Sequence, residues 1–447
     1  MRARNANASN ESRPGQSAVP SSSGGRINLR FFRQTGWMVV ATTLGGGFMY
    51  LVHIPAAAGM PRAEYGVFQA LLQVMNLMLI PAIGLQTIIA QQTASALTDL
   101  QHRQLAATVR VLLAGVGVIW LVMALSTWVM RDRLLAALQI AHPAALWVTV
   151  LIGLAMLAWP ILQGVLQGRQ SFFWLGSLQV VNGGGRLLGV LILVWFLGGQ
   201  AAGAMTAALL GFWATVTLAG WLTRDAWLGP GEPVDWRAWI RRVAPLTLGL
   251  AASQFTMAAD MILVQTTFDK HITGLYGAAG TIGRGLMFFT GAVFAVMFPK
   301  AVASKARGRR TDVLVSAVGA TAVLGTCAAL GCTFLPQLPL HLVYPTRPEY
   351  WAMAPLVPWF AWCMLPLSLA NVLIGHLLAR ERFQAVPWLL LVAIGYGVAL
   401  WARQDAFRSV PEADGFRMVV ATLGVFSLLL LLIAAWFTWG SHREDKH

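Results

Sequence analysis

Charged residues are scarce in this sequence: Asp, Glu, Lys and Arg together make up 11% of it, against roughly a quarter in an ordinary soluble domain. Over 447 residues that deficit leaves too few polar groups to cover a water-facing surface, and the 57% of hydrophobic residues point to lipid as the surrounding solvent. Cysteine is nearly absent too. Cys327, Cys332 and Cys363 lie in apolar stretches, none forms a CxxC pair, and the histidines are scattered, so a metal or dithiol site has no framework. No Walker A loop occurs, which excludes P-loop nucleotide hydrolysis, and HExxH, GxSxG and paired-aspartate motifs are missing as well. A secretory leader is not expected, because the first 33 residues are polar and the first apolar run is too long for one. Acidic residues are outnumbered 17 to 32 by basic ones, for a net charge of +15. These bases sit in short segments between apolar runs, not in a soluble basic domain, so they read as orientation signals and no nucleic-acid partner is expected.

What the sequence does contain is a series of apolar runs. A spanning helix needs roughly 20 mostly apolar residues. Twelve candidates meet that length or approach it: 35–57, 66–90, 106–129, 144–166, 174–198, 201–222, 243–266, 274–298, 312–335, 353–378, 387–402 and 417–439. The eleventh is short, and Gly183-Gly184-Gly185-Arg186 is expected to break or kink the fifth. The fold class is thus all-α and polytopic. The expected organisation is a disordered cytoplasmic tail at 1–33, six spans over 34–222, a cytoplasmic linker at 223–242, six more spans over 243–440, and a short tail at 441–447. An even number of spans puts both termini on one side. Twenty-one of the basic residues fall on that side and eight on the other, so both termini are expected in the cytoplasm. The halves echo each other weakly: Tyr65-Gly66 opens the second span and Tyr276-Gly277 the eighth, which suggests a duplicated transporter half.

Ionisable groups inside spans are the informative residues, since inserting one at a helix centre costs about 2.5–3.5 kcal/mol. Arg284 lies two turns beyond Tyr276, with mostly apolar residues after it up to Pro299-Lys300, too deep to reach either surface. It is either a cationic contact for a phosphate in a central cavity or half of an ion pair with Asp260. Asp260 is the one carboxylate well inside a span, and Ser253, Thr256 and Asp260 share a helix face by their spacing of three and four. That face can bind a coupling cation, accept a proton, or neutralise Arg284. Arg186, after Asn182 and three glycines, is either an anion contact at a helix break or a side chain led to the interface by a kink. Gln254 adjoins Ser253 and is a further polar candidate, whereas His53 reads as interfacial and Arg110 as snorkelling to the cytoplasmic surface.

Several stretches, in order, resemble a known family. They are Thr35-Gly36-Trp37, Ala63-Glu64-Tyr65-Gly66-Val67-Phe68-Gln69-Ala70-Leu71, Ile80-Pro81-Ala82-Ile83-Gly84-Leu85-Gln86-Thr87, Asp260-Met261-Ile262-Leu263-Val264, Leu275-Tyr276-Gly277-Ala278-Ala279-Gly280-Thr281 before Arg284, and Phe298-Pro299-Lys300. Together the chain resembles the polysaccharide-transporter branch (O-antigen-type flippases) of the multidrug/oligosaccharidyl-lipid/polysaccharide exporter superfamily. The resemblance implies two six-helix lobes around a V-shaped central cavity, no enzymatic activity, and export of polyprenyl-pyrophosphate-linked sugars for lipopolysaccharide or exopolysaccharide synthesis. It implies that cavity arginines meet the pyrophosphate, with Arg284, Asp260 and Arg186 matching family positions; beside the resemblance, the residues themselves add Asn182 and Gln254 as substrate contacts and Thr256 and Ser253 as partners of Asp260 in ion coupling or charge pairing. Partners would be the lipid-linked glycan, membrane lipids and polysaccharide synthesis proteins. No cofactor is expected beyond a coupling ion, H+ or Na+. The basic cluster of the lipid II flippase is not matched, since the first two spans offer only His53. A drug/cation antiporter of the same superfamily, a membrane-embedded polymerase or ligase, and a non-transporting scaffold for a synthesis complex remain as alternatives.

Overall fold

A computed structural model describes residues 29–96, 98–233, 236–285, 312–380 and 382–440. Among them there is no strand. The expected tails before 29 and after 440, and the second half of the expected eighth span with Phe298-Pro299-Lys300, lie outside the described residues. The helices in order are α1 Leu29–Leu51, α2 His53–Gly59, α3 Arg62–Met78, α4 Ile80–Ser95, α5 Asp99–Val129, α6 Arg131–Ala137, α7 Pro143–Gly168, α8 Phe172–Val190, α9 Gln200–Leu222, α10 Asp225–Leu228 and α11 Trp236–Thr267. They continue with α12 at 270–285, α13 Asp312–Phe334, α14 Gln337–Val343, α15 Val357–Ala379, α16 Val386–Ala402, α17 Gln404–Arg408 and α18 Glu412–Trp439.

Ten of the expected spans are single helical stretches long and apolar enough to cross a membrane. The second is instead two helices meeting at Leu79. Pro81 occupies the first turn of α4, where its missing N–H is harmless, but the same ring blocks continuation of α3. The eighth is α12, followed as far as residue 285. The short eleventh span gains a 3-10 turn, Phe383–Ala385, in front of α16 and so reaches 20 residues. Helix ends overrun the apolar stretches: α1 begins at Leu29, inside the expected tail, and α10 and the start of α11 occupy the expected linker. Backbone hydrogen bonding within a helix does not stop where apolar composition does. At α5 the start is set by a capping box, with Thr98 accepting from the Gln101 backbone and the Gln101 side chain accepting from Thr98 N–H.

The fifth span corrects an expectation. Gly183-Gly184-Gly185 lies within an unbroken α8, and the irregular segment is a π-helical turn further on, Leu191–Phe196. Gly183 serves close approach to α1: a Cβ there would lie 2.5 Å from the Gly45 carbonyl oxygen. Gly183→Val should therefore lower the melting temperature of the purified protein, by an overpacking cost of about 1–3 kcal/mol. Gly47→Ala, where added volume meets nothing within 4 Å, should not.

Packing repeats after six spans. α1 lies on α8, α8 on α9, α9 on α7, and α7 on α4 and α5. In the second half α11 lies on α16, α16 on α18, α18 on α15, and α15 on α13, while Phe360 of α15 packs edge-on against Tyr276 of α12. Each pairing joins spans of matching order, so the chain forms two six-helix lobes. The outer faces carry exposed Val118, Leu121, Val122 and Leu125 on α5 and Leu432 and Trp436 on α18, as a lipid solvent requires.

Candidate functional site

The lobes meet across α3 and α4 on one side and α11 on the other. On the face carrying Arg62, Lys270 and Arg347 they are fastened by polar contacts. Tyr65 and Tyr344 share a hydroxyl hydrogen bond of 2.8 Å, and Gln69 Nε2 donates to the Tyr65 hydroxyl at 2.7 Å and to Thr281 Oγ1 at 2.5 Å. Arg347 Nη2 donates to the carbonyls of Ala58 and Met60, at 2.9 and 3.1 Å. Between the lobes, Gln139 Nε2 donates to the Gln265 carbonyl at 2.7 Å and Gln265 Nε2 donates to the Leu138 carbonyl at 2.9 Å.

Beside this fastening lies a cavity of about 490 Å3 lined from both lobes. Its walls include Arg186 of α8, Gln254 of α11 and Arg284 of α12, which the sequence singled out. They also include Tyr50, His53, Gln69, Gln73, Asn76 and Thr281, which it did not select as sites. His53 is thus corrected from an interfacial position to the cavity wall, where its Nδ1 lies 3.2 Å from the Tyr65 hydroxyl and 3.4 Å from Gln69 Nε2. A signal for the α3 wall was available: Tyr65, Gln69, Gln73 and Asn76 recur at four, four and three, one polar stripe on a helix that is otherwise apolar beyond its first turn.

The two deep arginines have different surroundings. Arg284 Nη2 donates to both oxygens of Asp260, at 2.7 and 2.6 Å, and its Nε donates to the Met257 carbonyl at 3.3 Å. The Tyr276 hydroxyl donates to Asp260 Oδ2 at 2.8 Å, so a fully buried carboxylate is held by a guanidinium and a phenol. Phe360 lies beneath the guanidinium, 5.9 Å away. Arg284 is therefore compensated, although one edge of it faces the cavity. Arg186 is 4% exposed, and its one hydrogen bond among the described residues is a weak one from Nη1 to Met49 Sδ at 3.6 Å. Its Nε has no partner, and among the described residues no carboxylate pairs with it. An unmatched guanidinium so deeply buried is costly, and here it faces a chamber.

The other expected site residues fall beside the cavity. Asn182, one turn before Arg186, is packed under Gly211 of α9 and keeps its Oδ1 without a partner. Thr256 and Ser253 bond their own helix, donating to the carbonyls of Ala252 and Leu250 at 2.9 and 3.1 Å. The Asp260 carboxylate is held by Arg284 and Tyr276, not by those hydroxyls.

Residues 31–303 match the family model described as polysaccharide biosynthesis protein. No curated protein matches the sequence. Solved structures with the same fold include an inward-facing multidrug resistance MATE family transporter of the MOP superfamily, 13% identical, with a TM-score of 0.65 over 91% of this chain and 95% of that one. The lipid II flippase MurJ in its inward closed conformation is 13% identical, with a TM-score of 0.66 over 90% of this chain and 87% of that one. A MOP superfamily transporter from Pyrococcus furiosus, described by the reverse polarity of its binding pocket, is 14% identical, with a TM-score of 0.53 over 93% and 95%. At these identities the likeness is one of fold, whereas the family match spans more than half of the sequence: the chain belongs to the polysaccharide biosynthesis protein family.

Proposed function

We propose that this protein exports a polyprenyl-pyrophosphate-linked oligosaccharide or polysaccharide precursor across the bacterial cytoplasmic membrane. The observation that carries the proposal is Arg186, a buried guanidinium with no anion among the described residues, facing a chamber between two lobes of membrane helices. A phosphate is the partner that such a group lacks. Arg186 is the first contact for the pyrophosphate, with Arg284 at the same chamber and Asn182 and Gln254 as polar support. Sugars occupy the chamber while the polyprenyl tail stays in lipid, and the lobes rock about the site to expose it alternately. The Tyr65–Tyr344, Arg347 and Gln139–Gln265 contacts then form the closed outer gate of an inward-facing state.

Both termini are assigned to the cytoplasm from the positive-inside bias. Outward movement of a negative headgroup is helped by an inside-negative potential, about 2.3 kcal/mol per charge per 100 mV. Asp260, with Thr256 and Ser253 on its face, is the candidate for coupling to H+ or Na+, because substrate phosphate competing for Arg284 would leave the carboxylate to take a cation. No other cofactor is invoked. The rival reading as a drug/cation antiporter of the superfamily calls for uncompensated carboxylates in the cavity, and among the described residues none lines it.

The test is reconstitution of the full chain in vesicles with a fluorescent short-chain prenyl diphosphate disaccharide in both leaflets. Wild type is expected to equilibrate the probe across the bilayer, measured by its accessibility to an external quencher, and to leave organic cations untransported. Movement of the cations without the lipid-linked sugar would favour the antiporter.

A further inference from the structure

Away from the chamber, on the outer side of the second lobe, lies another cleft, of about 510 Å3. α13 and α18 both pack on α15, and the cleft is the furrow between them. Its rims are the exposed side chains of Trp359 and Trp362 on α15 and of Val425 and Leu428 on α18. Its floor is half-buried and made of small residues and a proline: Cys363 and Pro366 on α15, Ala421 and Gly424 on α18. Gly424 lets the two helices close at the floor, because a Cβ there would lie 2.5 Å from Cys363 Sγ. At one end the Trp362 Nε1 donates to Thr333 Oγ1 at 3.0 Å, and that hydroxyl donates to the Ala329 carbonyl at 2.8 Å. The polar atoms there are thus engaged, and no charged side chain lines the cleft among the described residues.

We propose that this cleft seats one acyl chain of a phospholipid from the leaflet on the Arg347 side. Along α15 it runs from Pro358, in the first turn, to Pro366, about 12 Å at the helical rise. The hydrocarbon of one leaflet is about 15 Å deep. The cleft therefore matches a chain of one leaflet and ends near the bilayer midplane. Its rims belong to the apolar outer surface of the lobe, so in a bilayer the furrow opens onto hydrocarbon. Left unfilled, it would forfeit dispersion contacts along both walls. A transmembrane helix does not fit: with side chains a helix is about 10–12 Å across, so 510 Å3 would hold only about one turn of it. A polyprenyl tail running from the chamber is disfavoured as well. Cleft and chamber share no lining residue, and Phe360, which reaches from α15 to lie beneath Arg284, leaves a different face of that helix. A seated chain braces α15, and with it the ring under Arg284.

The experiment uses the full chain in nanodiscs that contain a phosphatidylglycerol with a diazirine midway along one acyl chain. Irradiation and peptide mapping locate the adducts. Adducts per residue over 358–366 and 421–428 should exceed those around Val118, Leu121, Val122 and Leu125 of α5, an exposed apolar face that lines neither cavity. The expected excess is about tenfold, the ratio that a preference of about 1.4 kcal/mol produces. Ala421→Phe fills the floor, and Val425→Trp covers the furrow from a rim position that is 58% exposed and tolerates a larger side chain. Each should bring the cleft down to the α5 level and leave the α5 adducts unchanged, with melting temperatures reporting that the variants fold. Equal labelling of cleft and α5 would mean surface lipid only and overturns the proposal. So does an enrichment that persists in folded Val425→Trp, or a cleft without label, as a second copy seated on it would give. Stronger labelling by a diazirine-bearing prenyl phosphate than by the phospholipid would overturn it in favour of an isoprenoid chain.

Discussion

Arg186→Met should lower transport of a lipid-linked glycan by roughly thirtyfold, the loss of about 2 kcal/mol from a hydrogen bond to a charged group, while leaving the protein at least as stable as wild type. The opposite signs follow from the surroundings of Arg186: it is 4% exposed, has an unpartnered Nε, and has no carboxylate beside it among the described residues. Among the described residues its desolvation is met by the Met49 sulfur alone, so replacement with an apolar side chain of similar length removes a penalty. A purely structural arginine would behave in reverse, its removal lowering the melting temperature and sparing transport. Vesicle assays at matched protein level, together with thermal unfolding in detergent, separate the cases. Transport at the wild-type rate in a well-folded Arg186→Met protein would remove the residue from the mechanism. Arg186→Lys should keep part of the activity, because an ammonium supplies the charge without the planar fork.

Asp260→Leu should be severely destabilising, by about 3–5 kcal/mol, because it strands the Arg284 guanidinium and takes the acceptor from the Tyr276 hydroxyl. Arg284→Met alone should cost a similar amount by stranding a fully buried carboxylate. The combination of Asp260→Leu, Arg284→Met and Tyr276→Phe leaves no orphaned group, so most of the stability should return. Transport decides what the cluster is for. If the ion pair only holds α11 against α12, the triple variant transports normally. If Arg284 is released to the substrate during the cycle and Asp260 then takes a cation, the triple variant folds and does not transport. The second outcome is expected, since Arg284 keeps an edge on the chamber. Recovery of both folding and transport would reduce the cluster to a structural pair.

Much of the fold was legible in the sequence because a bilayer imposes one length on every span. Ten of twelve runs are single helical stretches, and the second span broke where Pro81 allows no continuation of α3. The glycine triplet misled, because small residues in a membrane helix mark close packing as readily as a break, and periodicity cannot distinguish them. In the site, mid-span charge pointed to Arg284, Asp260 and Arg186, but His53 was missed because its nearness to a span end outweighed its neighbours. Gln69 and Gln73 were missed because an uncharged amide in an apolar run gives little hydropathy signal, although their four-residue spacing was there to be read.

By itself the sequence determined that the chain must live in lipid, about how many spans it offers, and that a few cations are held deep within them. These follow from composition and from the cost of exposing backbone and charge to hydrocarbon, which depend on residues one at a time or over a single helix. Only the tertiary structure decided which of the two arginines is compensated. Asp260 comes within 2.6 Å of Arg284, while what reaches Arg186 from the distant α1 is a thioether sulfur. Neutralisation acts over a few ångströms, and which side chains approach that closely is set by the packing of helices far apart in the chain.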